Sequence, residues 1–461
     1  MKIGISTSMM QRGQTGVAQY VLALVRALRK FAGQEQFFLF VLEGDLPLFA
    51  FADGFELVAV SERFRPPVQN ILWHQIELPR IARAHRLDVL HVPSYRRLIW
   101  PRPCALVATI HDLAPFRMPA KYDWKRMFYG RVLVKHLARR QDEVIAVSRC
   151  TARDLVHFFG ISPKRLSVIH NGVDHGRFFP GDPARAKRWA ADHFGLRHPF
   201  FLYIARLEHP AKNHVRLIDA FGQFKAETLS PWQLALSGSD WHGAEEIHRA
   251  IHRSPVAQDI HCLGFVEDGK LPELYRAADA FVYPSLFEGF GLPPLEAMAC
   301  GCPTIASTAG SLGEVIGEAA LVVKPEVVAD IKEKLSRLVP SPTLRDELRW
   351  AGLTRARCFD WDKTVTETMQ VYHRAAAETK VRDYLGRYPR SLVDGFAPTT
   401  ATLQDPRQMN CHTPLPGSTA VELSLGATKT AGLSMTPCTQ HESDSPNQTN
   451  RHTPAHEPRN R

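Results

Sequence analysis

Two glutamates eight positions apart, Glu288 and Glu296, bracket the stretch of this 461-residue chain whose residue types say most about chemistry, EGFGLPPLEAMACGCPTIAS over 288–307. An apolar run of strand type, Ala280 to Tyr283, leads into a loop punctuated by Gly289 and Gly291, and Pro293-Pro294 opens a helical segment. Proline is tolerated in a first helical turn and disfavours helix at the residue before it, so the spacing predicts a helix from near Pro293. Glu288 then lies on the loop and Glu296 in the first turn. Both face one crevice at the carboxyl end of a parallel strand, where open α/β sheets bind ligands. Gly289 and Gly291 let backbone come close to a ligand, and the unpaired N–H groups of the helix start favour an anion. A molecule offering phosphate to the amides and hydroxyls to the carboxylates would suit this loop.

Cys300-Gly-Cys302 has two thiols in close spacing but no partner ligands at zinc spacing. Asp360-Trp-Asp362 has the form of a DxD metal motif, yet it stands just ahead of an amphipathic helix, where a cap or surface role fits better. No metal and no cofactor is expected. Lys121 to Arg140, KYDWKRMFYGRVLVKHLARR, sets seven Lys/Arg against one Asp among interleaved aromatic and aliphatic residues. Such a basic amphipathic helix can lie on an anionic bilayer, or pack its apolar stripe on a sheet and leave the basic face solvated.

Two alternations of strand and helix signals must position these groups. The first has strand candidates at 2–7, 37–42, 56–60, 88–93, 105–110, 143–148 and 166–173, with helical segments such as 17–28 between several of them. A polar stretch, Asp174 to His198, breaks the pattern. The second has candidates at 200–205, 233–238, 260–266, 280–285, 303–307 and 319–324. The fold class is therefore α/β, two doubly wound Rossmann-like domains facing a cleft. Residues 1–180 form the first domain and 181–358 the second; Pro342 to Arg357 looks helical, and 359–380 supplies a terminal helix. From 383 to 461 the composition turns to Thr, Pro, Ser, Asn and Gln, and disorder is expected because too little apolar surface is available to offset ordering entropy.

The 288–307 stretch resembles the E-x7-E motif of the retaining GT-B glycosyltransferases of family 4, a class with many bacterial mannosyl- and glucosyltransferases. The likeness extends through loop, prolines and following strand, and covers roughly residues 1–380. It implies a terminal helix that crosses back to the first domain. It also implies a first domain for the acceptor and a second for a nucleoside diphosphate sugar. Arg206 and Lys212, in RLEHPAKN after a strand, resemble the family's clamp on the donor diphosphate. Two fixed cations can neutralise charge growing on a departing nucleoside diphosphate without a metal. By the same resemblance Glu296 takes the ribose, Phe265 and Val266 end a strand where backbone holds the base, and Glu288 lies near hydroxyls of the donor sugar with Gly289, Phe290, Gly291 and Leu292 around the phosphates. His111, in TIHDL, occupies the position of a cleft histidine near the transferred sugar, and Gly13 and Gly16 belong to the glycine-containing loop on the acceptor side. Ser148, at the end of EVIAVS, is a family feature of structural character. Retention would follow a front-face substitution in which leaving-group oxygen assists the incoming hydroxyl.

Composition fits a globular enzyme, with 44% hydrophobic and 23% charged residues. No run reaches the roughly 18–20 apolar residues of a spanning helix, MKIGISTSMM reads as a strand with no leader core, and eight scattered cysteines suit a reducing cytosol. Residues 1–180 carry 26 Lys/Arg and 14 Asp/Glu, net +12, leaving 57−26=31 against 47−14=33, net −2. Without a nucleic-acid motif, that basic half points to an anionic membrane surface or acceptor. The expected activity is transfer of a hexose, mannose from GDP-mannose, to a saccharide or lipid-linked saccharide in polysaccharide or glycolipid assembly. The setting would be cytoplasmic, peripheral to the inner face of the plasma membrane. A UDP-sugar transferase, a UDP-N-acetylhexosamine 2-epimerase and an inactive nucleotide-sugar-binding scaffold are the alternatives.

Overall fold

Short runs dense in β-branched and aromatic residues build two wholly parallel sheets in the computed structural model, which describes residues 1–13, 15–117 and 133–385. The first contains β1 (Lys2–Ser6), β2 (Gln36–Leu42), β3 (Phe55–Val60), β4 (Val89–Val92), β5 (Ala105–Ile110), β6 (Glu143–Ala146) and β7 (Leu166–Val168) in the order β3-β2-β1-β4-β5-β6-β7. The second contains β8 (Phe200–Ile204), β9 (Gln233–Ser237), β10 (Ile260–Gly264), β11 (Ala280–Tyr283), β12 (Thr304–Ser307) and β13 (Leu321–Val323) in the order β10-β9-β8-β11-β12-β13. Strand order reverses between β1 and β4 in one sheet and between β8 and β11 in the other. Those switch points are where doubly wound sheets open a crevice for ligand.

Central strands such as β5 and β11 are buried along their whole length, as expected of parallel sheet covered on both faces. The first core joins that sheet to the helix Gly16–Leu28 and to Val365, Met369, Tyr372 and Ala375 of the last helix. This helix, Trp361–Leu385, thus returns from the second sheet to cover the first. Each fully buried apolar side chain on it contributes about 1.5–3 kcal/mol. Tyr372 adds a hydroxyl 2.8 Å from His91 Nδ1, and Lys30 pairs with Asp362 at 2.9 Å.

Several expectations are corrected here. The Asp174–His198 stretch holds a helix, Pro183–Phe194, started by Asp182, which accepts from Ala184 N, and stopped by Gly195 in the left-handed conformation. Its polarity is that of a surface helix. The 166–173 strand ends at Val168, because the chain then crosses to the second domain, where Val173 bridges to Asp360. A Cβ on Gly172 would sit 2.3 Å from Trp361 N, so the two crossing segments need glycine there. The terminal helix runs to Leu385, past its expected end at 380 and into the stretch expected to be disordered from 383, and residues 386–461 lie outside the described residues. So does most of Lys121 to Arg140; its described end carries a helix at Lys135–Arg139.

Candidate active site

The loops after β8 and β11 flank the second switch point and carry Lys212 and Glu288, which meet directly at 2.7 Å between Nζ and Oε1. The same oxygen accepts from Tyr283 at 2.9 Å, and the Ser285 hydroxyl lies 2.6 Å away. Burial, then the nearby Glu288 carboxylate, pushes the Tyr283 phenol well above its ordinary value, so it stays a donor. Both charged groups are mostly sheltered, at 18% exposure for Lys212 and 13% for Glu288. The main chain of Glu288 is fixed as well. Its carbonyl accepts from Ser311 N at 3.0 Å, and a Cβ on Gly310 would fall 2.3 Å from that oxygen.

A second set of bonds holds the Lys212 loop against the Glu288 loop. Asn213, at φ 62, donates through Nδ2 to Pro284 O at 2.9 Å and to Pro325 O at 2.6 Å. Leu286 N donates to Ala211 O at 3.0 Å, and Tyr203 OH to Lys212 O at 2.5 Å. Arg206 stands apart from this pair. Backbone bonds from Ala205 N to Ser237 O and Leu207 N to Ser239 O, both 2.9 Å, lace its loop to the one after β9. Its guanidinium lies 4.6 Å from the Trp241 ring centre and 3.7 Å from Glu208, and remains 40% exposed.

Glu296 is not in a first helical turn. Gly291, at φ 108, caps a helix that begins at Leu292, so Glu296 is the fifth residue of Leu292–Ala299. Pro293 and Pro294 occupy positions whose N–H groups would have no helical partner anyway. Glu296 accepts from Tyr275 OH at 2.9 Å and is separate from the Lys212–Glu288 pair. It keeps partial solvent access deep in the protein. Burial pushes its carboxyl up to about 7, with Tyr275 and Arg177 pulling the other way and Asp268 adding to the rise.

Phe265 and Val266 follow a strand rather than end one. β10 stops at Gly264, whose left-handed φ of 67 turns the chain out of the sheet. Phe265 is 56% exposed and Val266 is buried in the second core. Phe290 is also buried there.

On the first domain, His111 lies just past β5 with Nε2 3.3 Å from Pro93 O, and Tyr20 meets its ring edge to face at 4.7 Å. Burial lowers its pKa to about 4, which leaves a neutral imidazole at neutral pH. A Cβ on Gly289 would be 2.0 Å from His111 O, so the two domains touch through main chain beside Glu288. Gly13, at φ 83, ends the turn Gln11–Gly13, and Gly16 starts its helix with Thr15 accepting from Ala18 N at 3.2 Å. Ser148 lies beyond β6, which ends at Ala146, and caps the helix Arg149–Asp154. Asp360 accepts from Asp362 N at 2.9 Å, a turn at the start of the last helix, and Cys300 and Cys302 are buried free thiols.

Tyr283, Ser285, Tyr275 and Ser311 escaped sequence reasoning. Tyr283 and Ser285 stand five and three residues before Glu288. At the end of an apolar run they read as packing residues; the fold gives both hydroxyls the Glu288 carboxylate as a partner, and Ser285 Oγ also lies 3.2 Å from Ala211 O.

Residues 14–177 match the family described as Glycosyltransferase Family 4, and residues 190–354 that described as Glycosyl transferases group 1. The O-antigen chain mannosyltransferase B of Escherichia coli is 31% identical over 266 residues, 58% of this chain and 69% of that protein. The MMP alpha-(1->4)-mannosyltransferase of Mycolicibacterium hassiacum is 32% identical over 285 residues, 59% of this chain and 66% of that protein. Among solved structures, Anabaena HepE in complex with UDP and glucose superposes with a TM-score of 0.65 at 20% identity, over 81% of this chain and 100% of that one.

Proposed function

This chain belongs to glycosyltransferase family 4, and from that premise we propose that it transfers mannose from GDP-mannose to an acceptor hydroxyl, with retention and without a metal. The observation that carries this reading is the Lys212–Glu288 pair beside the helix start at the second switch point. An ammonium has three donors, so Lys212 can keep Glu288 and still hold a phosphate oxygen. Arg206, exposed at the mouth, would take the other end of the diphosphate, and the amides near Gly289, Phe290, Gly291 and Leu292 would add their dipole. Glu288 would orient the donor sugar through its hydroxyls. Phe265 and Val266 would hold the base by backbone, Glu296 the ribose, and His111 with the Gly13–Gly16 loop would border the acceptor. As the bond from sugar carbon to phosphate oxygen lengthens, Arg206 and Lys212 stabilise the negative charge left on the diphosphate. The acceptor proton then passes to that leaving oxygen while the acceptor oxygen bonds to the same face of the sugar. Residues 1–180 would serve the acceptor and 181–358 the donor.

Mannose is favoured by the names of the two curated relatives, both mannosyltransferases. Contact with an anionic membrane is supported by Val68 and Leu72 of the helix Pro67–Gln75 and Ile76 at its end, exposed at 67%, 52% and 44%, and by exposed Trp100, whose main-chain N–H donates to Gln75 at 2.9 Å. Apolar side chains on a basic domain suit the surface of such a bilayer. Among the described residues no helix is long and apolar enough to cross a membrane. Thermal shift with GDP-mannose, UDP-glucose and UDP-N-acetylglucosamine tests the reading, followed by transfer to lipid-linked saccharide in anionic vesicles. GDP-mannose should give the largest shift. A larger shift with a UDP-sugar, or 2-epimer formation without acceptor, would replace it.

Glu296 makes donor binding depend on pH. Ribose hydroxyls donate to a carboxylate, so binding favours the ionised form and lowers a pKa that starts near 7. Affinity for GDP-mannose, whose diphosphate has no proton to lose in this range, should therefore rise up to about pH 7 and level off above it, by about tenfold per unit that the pKa falls on binding. Calorimetric titration with GDP-mannose at pH 6 and pH 8 measures this, and Glu296→Gln should lose the difference between them.

A further inference from the structure

Glu314 joins the two domains through a side chain that makes no hydrogen bond to Lys212, Glu288 or Glu296. It sits in the short helix Leu312–Ile316 of the second domain, yet its carboxylate ends on the first. Oε2 accepts from Arg149 N at 2.8 Å and Oε1 from Cys150 N at 2.6 Å. Those amides open the helix Arg149–Asp154, where main-chain donors have no helical partner, and Ser148 satisfies Thr151 N at 3.0 Å. A carboxylate from one domain thus completes the end of a helix in the other. His170 Nε2 stands 3.4 Å from Oε2. Burial alone would push this carboxyl up; hydrogen bonds from His170, Arg149 N and Cys150 N outweigh it and leave the group below its ordinary value. Arg355 anchors the segment by donating to Val315 O at 2.8 Å and to Glu314 O.

The same first-domain helix leads to the reaction centre. Thr151, next to Cys150, has its hydroxyl 3.2 Å from His111 O and 3.4 Å from Gly289 O. One proton serves one acceptor at a time: given to Gly289 O it ties the first domain to the second beside Glu288, and given to His111 O it stays within the first. Rotation of one domain against the other would break the Glu314 bonds and the Thr151–Gly289 contact together.

We propose that Glu314 is a positioning residue for transfer, holding the first domain against the second so that the acceptor side, at His111, stays in register with the donor sugar at Glu288. This rests on the donor lying in the second domain, as assigned above. Losing the grip should therefore slow transfer while leaving nucleotide affinity intact.

Glu314→Gln keeps one acceptor but turns an amide donor toward a main-chain donor, and Glu314→Ala removes both acceptors. Charge-assisted bonds of this kind are the strong ones, so transfer from GDP-mannose should fall about tenfold in Glu314→Gln and about a hundredfold in Glu314→Ala. The Kd for GDP should stay within about twofold, an unchanged second-domain pocket being the premise. Hydrogen exchange at the Arg149 and Cys150 amides, followed in the nucleotide-free full chain, should accelerate by about tenfold or more as the local opening becomes easier. Should Glu314→Ala fail to fold, Glu314→Gln carries the test alone. Unchanged exchange at the two amides overturns the proposal, and so does a parallel loss of GDP affinity and transfer, which would mark a structural role. Because the exchange measurement needs no donor, a wrong sugar nucleotide fails the functional reading and leaves this one standing or falling by itself.

Discussion

Glu288→Gln should lower transfer by about two to three orders of magnitude, the loss typical of removing one preorganised electrostatic group from an active site. The amide keeps the volume of the acid and one acceptor for the Tyr283 and Ser285 hydroxyls, which now approach Oε1 at 2.9 and 2.6 Å. It cannot balance Lys212, and its NH2 group cannot accept from a sugar hydroxyl. The ammonium left without its counter-charge is 18% exposed, so the stability cost is moderated by solvent to about 1–2 kcal/mol. Rate and fold should therefore part company, with turnover nearly lost and the melting temperature down by only a few degrees. Steady-state transfer and circular dichroism on the same sample measure both. A variant within tenfold of the parent rate would remove Glu288 from the reaction.

That the two readouts separate follows from how the site is built, and the sequence told part of this. All thirteen strand candidates have a counterpart in the two sheets; the central ones are continuous apolar runs because both faces are covered, whereas edge strands such as β3 and β13 are partly exposed and stand out by their β-branched residues and place in the alternation. The loop carrying Glu288 was legible for a similar reason: glycines and prolines fix its path locally, as Gly291 at φ 108 and the helix start at Leu292 bear out. The helix Pro183–Phe194 was not, since its polar face outweighs its two buried alanines, although Asp182 and Gly195 mark both ends. Partnerships were the least legible. Lys212 and Glu288 lie 76 residues apart, and nothing local to either says that the β8 and β11 loops are neighbours. Strand order decides it, by inserting β8 between β9 and β11. Glu314 shows the same limit more sharply. In sequence it is one acid in a short helix, and only the arrangement of the domains gives it two main-chain donors 164 and 165 residues away.

Lys212→Ala should lose transfer by about two to three orders of magnitude, and Mg²⁺ should not bring it back. In the parent protein the ammonium is held in place before any ligand arrives, by Glu288 at 2.7 Å on one side and by a loop pinned through Asn213 and Tyr203 on the other. On the proposed mechanism, a charge held this way would need no reorganisation when the diphosphate departs, and its catalytic value would lie there. Alanine removes the charge and also leaves Glu288 a sheltered carboxylate facing incoming phosphate with only hydroxyl donors beside it. Donor affinity should therefore fall along with turnover, whereas Glu288→Gln should chiefly affect turnover. Arg206→Ala should be milder, about tenfold, because that guanidinium is 40% exposed and its present partners are Trp241 and Glu208. Chelator added to the parent should change nothing. If chelator silences the parent, or Mg²⁺ restores Lys212→Ala, a divalent ion rather than protein cations neutralises the leaving group. If Lys212→Ala keeps more than a tenth of the parent rate, the diphosphate lies elsewhere in the crevice.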